Sequence, residues 1–123
     1  MLHILEQILH IISMNQSYIR LRLENRNDEA EYEKLVNYAE HEQKQYHLWQ
    51  YVYFLVKGAS FSPKKHVQPP DNVDALLLFH EMKKALLYYE LVPHLSGAQK
   101  RAAEQALTKA LEHGLFFSNL SHR

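Results

Sequence analysis

The side chains best suited to hold a metal ion lie near the start of the chain: His3, Glu6 and His10. Steps of three and four residues place them on one side of a helix, and imidazole with carboxylate suits zinc or another divalent ion. Leu5, Ile8, Leu9 and Ile12 lie on the opposite side, so the set points away from any core. Metal ligands in a helical bundle project inward. The favoured reading is therefore a solvated face, with no metal and no cofactor. Glu90 and His94 are spaced in the same way, but Pro93 breaks a helix between them.

Other catalytic patterns fail on spacing. No Glu is followed by His three residues on, so the Glu-x-x-His pair of di-iron carboxylate bundles is absent. His41-Glu42 and His80-Glu81 are followed by Gln45 and Lys84 where a His-Glu-x-x-His zinc motif needs a second His. No Arg has a His five residues later, the pair used by small helical ribonucleases of the HEPN group. There is no phosphate loop, dinucleotide fingerprint or Gly-x-Ser-x-Gly elbow. The balance is against an enzyme. What remains is Glu42 and Gln43, which interrupt an apolar stripe. They are candidates for a polar site in the core, paired with His80 or a tyrosine hydroxyl. The alternative, which the sequence favours, leaves Glu42 at the stripe's edge, reaching water.

Four helices must position these residues. Leu5, Ile8, Leu9, Ile12, Ile19 and Leu23 predict a helix over about 2–24. Asp28 caps a second, over about 28–57, stopped by Gly58. Its core stripe reads Tyr32, Leu35, Val36, Ala39, Tyr46, Trp49 and Tyr53. A long connection over 58–71 contains Pro63, Pro69 and Pro70, and its stretch Ser62-Pro63-Lys64-Lys65-His66 is a solvated crossover or a docking segment. A third helix, over about 72–92, shows Ala75, Leu78, Phe79, Met82, Leu86 and Tyr89 as its core face and leaves Glu81, Lys83, Lys84 and Glu90 for solvent. A capping box, Ser96 to Gln99, opens a fourth over about 97–113. Gly114 reads as its stop, with residues 114–123 as a tail. Together these predict a single-domain, all-α, up-down antiparallel four-helix bundle.

The second helix is apolar beyond its core stripe. Leu48, Tyr51, Val52 and Leu55 form a second face that either the tail, through Phe116 and Phe117, or another subunit must cover. These six residues are the candidate interaction surface. Lys plus Arg and Asp plus Glu are both 14, so the formal net charge is zero and no basic footprint suggests nucleic acid. The chain has no cysteine, no signal-peptide pattern and no apolar run long enough to span a membrane, which fits a reducing cytosol. In length, in Trp49 late in the second helix, and in the basic stretch Pro63 to Val67 before the third, the chain resembles the YppE-like family of small bacillar helical-bundle proteins. That resemblance implies the bundle and no activity. The expected function is a non-enzymatic interaction or adaptor protein with a protein partner or a second copy. The alternative is a ligand- or metal-binding bundle, or an enzyme, using inward Glu and His.

Overall fold

A computed structural model describes residues 1–25, 28–64 and 71–121. Lys65 and His66 of the basic stretch, with Pro69 and Pro70, lie outside them. The described residues form four helices and no strand: α1 Leu2–Glu24, α2 Glu29–Lys57, α3 Val73–Leu91 and α4 Gly97–Ser121. The starts and stops follow local chemistry. Asp28 accepts from the Glu31 amide at 2.7 Å and Asn72 from the Ala75 amide at 3.0 Å, each satisfying a first-turn donor. Gly58 ends α2 in the left-handed region, φ 82°. Just beyond it, the Gln50 side chain clasps Phe61 through both its backbone N–H and its carbonyl. Pro93 ends α3 in a single 3₁₀ turn, Val92–His94.

One boundary differs from expectation. His113-Gly114 does not stop α4, which continues through Phe116 and Phe117 to Ser121. Gly114 lies where α4 crosses α3, and a β-carbon there would overlap the ε-methyl of Met82. The glycine serves close helix approach, not termination.

Helix directions follow from end-to-end pairings. Arg22, in the last turn of α1, bonds Glu31 in the first turn of α2 and Asp74 in the first turn of α3. The Tyr53 hydroxyl, near the end of α2, donates to Glu6 near the start of α1 at 2.8 Å. Both α2 and α3 therefore start where α1 stops and run parallel to each other. α4 turns back along α3 and brings Phe117 to Tyr38, with ring centroids 4.9 Å apart. The order is up-down-down-up, not the expected alternation. The long connection makes this feasible, since about 15 extended residues reach roughly 50 Å, comparable with a helix of 29 residues at 1.5 Å each. Backbones pack closely in the pairs α1–α2, α1–α3 and α3–α4; α2 and α4 stay apart.

The core is in two halves. One gathers Leu5, Ile8, Ile12, Trp49, Val52, Tyr88, Leu91 and Ala103. The other gathers Tyr18, Ile19, Leu35, Tyr38, Leu77, Phe117 and Leu120. Between them, at mid-height, lies a layer of polar side chains.

Candidate functional site

Each helix sends a polar residue into that layer. Asn15 comes from α1, Glu42 from α2, Glu81 and Lys84 from α3, and His113 approaches from α4. Asn15, Glu42 and Glu81 are all 0% exposed and Lys84 is 2% exposed. The Lys84 ammonium sits between the two carboxylates, 2.5 Å from Glu42 and 2.9 Å from Glu81. The Asn15 amide nitrogen donates to both, at 3.2 Å and 3.1 Å, and the Tyr38 hydroxyl donates to Glu81 at 2.8 Å. Because both Asn15 N–H groups are used in this way, its oxygen must accept. The ring nitrogen Nδ1 of His80, 2.7 Å away, is then the donor, which fixes the His80 tautomer.

The electrostatics follow from burial and sign. Burial alone would lower the Lys84 pKa, but Glu42 and Glu81 outweigh it and hold the amine charged. Two carboxylates share that one ammonium. Burial is the largest influence on Glu42 and pushes it up. Burial pushes Glu81 the same way, but the Lys84 charge, with hydrogen bonds from Lys84 and Tyr38 and with His113 nearby, draws it below the ordinary carboxylate value. Of the two carboxylates, Glu42 is therefore the one raised and Glu81 the one lowered. His80 is pushed down to about 4, chiefly by burial, and stays neutral at pH 7.

This arrangement resembles a bundle metal site whose centre is taken by the chain's own cation. Glu81 and Lys84 are three residues apart, so lysine stands where the di-iron motif has histidine. Held charged, Lys84 is no nucleophile. Among the described residues no group of three or more His, Asp or Glu is placed to hold a metal.

Above the layer lies an open groove, because α2 and α4 do not close. Its first cleft, about 620 Å³, is lined by Lys34, Tyr38, His41, Lys109, His113 and Phe116 among others. A second, about 570 Å³, shares His41 and Lys109 and runs on over Leu48, Ala102 and Ala106. His113 joins groove to layer. Its Nδ1 is buried and 3.6 Å from Glu81 Oε1, and neither atom has a hydrogen-bond partner. Its ring meets Tyr38 edge-on at 4.8 Å and His41 at 5.1 Å. Burial, with His113 and Lys84 nearby, pushes His41 down to about 4.

The residues singled out in the sequence are scattered. His3 is exposed and bonded to Gln7, Glu6 accepts from Tyr53, and His10 is half-buried, so the three share no centre. Glu42 is fully buried, against the expectation that it reaches water, while Gln43 is exposed. His80 enters the network but bonds Asn15, not Glu42. Glu81 and Lys84, assigned to solvent, are core residues. On α2, Val52 is buried, Leu48 is half-buried, and Tyr51 and Leu55 are exposed. The tail does not cover them: Phe116 and Phe117 lie beside Lys34 and Tyr38, in the other half of the bundle. Asn15, Tyr38, Lys84 and His113 were missed. Asn15 is in phase with Ile8, Ile12 and Ile19, so periodicity alone could have placed it. Comparison with protein-family models, with curated proteins and with solved structures finds no match to this chain.

Proposed function

We propose that the chain is a non-enzymatic interaction module whose working surface is the outer face of α3 and α4, and whose partner is a second copy of the same face. One observation carries this reading. Phe79, Leu86, Tyr89 and Leu115 are 62%, 66%, 72% and 65% exposed, with Met82 and Leu111 beside them. The two helices meet along this face, where Met82 lies over Gly114 and Tyr89 shares a cleft with Leu107.

Taking on the order of 150 Å² for a large side chain, the six offer roughly 500 Å² of apolar surface. That lies toward the upper end of the ~300–600 Å² of a monomer's largest patch, which is often functional, and neighbouring polar atoms would complete the ~800 Å² per partner of a stable interface. Along α3 the positions 79, 82, 86 and 89 step by three, four and three, the spacing of a helix–helix seam. Two such stripes, antiparallel about a two-fold axis, are complementary to each other. A net charge of zero adds no repulsion between copies. The resemblance to the YppE-like bundles adds the fold and no activity. A location in the bacterial cytosol belongs to the same proposal; among the described residues no helix is long and apolar enough to cross a membrane.

Gel filtration with light scattering tests the reading. The expected mass is twice 14.6 kDa for the wild type, and one chain for Leu86→Lys with unchanged helical content. A wild-type monomer at every concentration removes the second copy as partner.

A further inference from the structure

We infer that the groove between α2 and α4 binds a small amphipathic anion, with its acidic head in the first cleft and its apolar body in the second. Each cleft, at about 620 and 570 Å³, is of ligand size. They join at His41 and Lys109, so one molecule can occupy both.

The ends differ in chemistry. The first presents the ammonium groups of Lys34 and Lys109, the amide of Asn37 and the ring of His113. Lys34 lies over the Phe116 ring, 5.8 Å from its centroid, with its charge at the rim. Glu112 is the opposing charge there. It pairs with Lys109 at 3.3 Å, but both side chains are more than half exposed, so water screens the pair and a ligand carboxylate can replace it. The second cleft is floored by Leu48, Ala102 and Ala106, with Gln45, Gln105 and Thr108 around them and Glu104 as its one charge besides Lys109. The alanines leave room where larger residues would let α4 close on α2. Tyr38 and Ala106 are 1% and 2% exposed, so the floor is a packed wall and the groove is preformed.

Carboxylates with linear or aromatic bodies share this chemistry. Octanoate and 3-phenylpropionate are the probes, with 1-octanol as the neutral control. In amide NMR titrations, saturable shifts centred on His41, Ala106, Lys109 and His113 are expected with either acid. The double variant Lys34→Gln/Lys109→Gln changes only exposed or partly exposed side chains. It should weaken the acids about tenfold or more, the loss of one charged contact, and leave octanol unchanged. No saturable shift, shifts centred on Phe79 and Leu86, or octanol binding as tightly as octanoate would each overturn the inference. Because the shifts are read by residue, failure here is distinct from failure of self-association through α3 and α4.

Discussion

At the residue scale the decisive group is Lys84. A buried carboxylate pair without a cation is strongly disfavoured, and a buried ion pair that loses one partner leaves an uncompensated charge. Lys84→Met should therefore cost about 3–5 kcal/mol, measured by urea unfolding at pH 7. Glu42→Gln keeps one acceptor for Lys84 but turns an NH2 toward the Asn15 amide, so a loss smaller than that of Lys84→Met is expected. A loss as large as that of Lys84→Met would mean that Glu42 matters to the layer as much as its cation does. The histidines set the acid response. His41 and His80 sit at about 4 when folded, against 6.5 for the free side chain. Between these values the unfolded chain binds more protons. Stability is then full above about pH 6.5 and falls towards pH 4. Glu42, raised, works in the opposite sense, losing its contribution as pH rises through its folded value. His80→Gln should flatten the decline between pH 6.5 and 4 in urea midpoints; an unchanged slope would mean that His80 is not held neutral.

At the element scale the third helix is the informative one. Both of its faces could serve as a core by apolar count. The face with Phe79, Met82, Leu86 and Tyr89 is the more apolar, yet it points out, while Leu77, His80, Glu81, Lys84 and Tyr88 point in. The reason is charge pairing. Glu42 and Asn15 sit within the stripes of α2 and α1, and only the polar face of α3 can satisfy them. Once that face is inside, Met82 and Leu86 have nowhere to go but outward. Gly114 shows the same coupling on α4. Gly114→Ala gains up to ~1 kcal/mol of helix propensity and displaces only the end of Met82, a side chain 37% exposed. A thermal midpoint unchanged or slightly raised is expected. Gly114→Leu also meets Glu81 and Leu78, and should cost about 1–3 kcal/mol by overpacking.

At the scale of the whole molecule, one polar layer divides two apolar halves. It gives the bundle a register, because sliding any helix by a turn would strand Glu42, Glu81 or Lys84 in hydrocarbon. The same arrangement creates two unlike surfaces: an apolar face on α3 and α4, and an open groove between α4 and α2. Self-association ties folding to concentration. The thermal midpoint of the wild type should rise with protein concentration and that of Leu86→Lys should not. A concentration-independent midpoint in both would count against the dimer.

The sequence by itself determined the helices. Caps, glycines and prolines act within a few residues, so Asp28, Gly58 and Pro93 could be read locally, and so could the stripe of α1. Tertiary structure decided everything that depends on which helix meets which. Gly114 looks like a stop until α3 is seen beneath it. The direction of α3 depends on where a long connection leads. Glu81 and Lys84 look like solvent residues because charge is costly to bury alone. Their burial becomes favourable only when Glu42 and Asn15, distant in sequence, supply the partners, and no periodicity within one helix records that pairing.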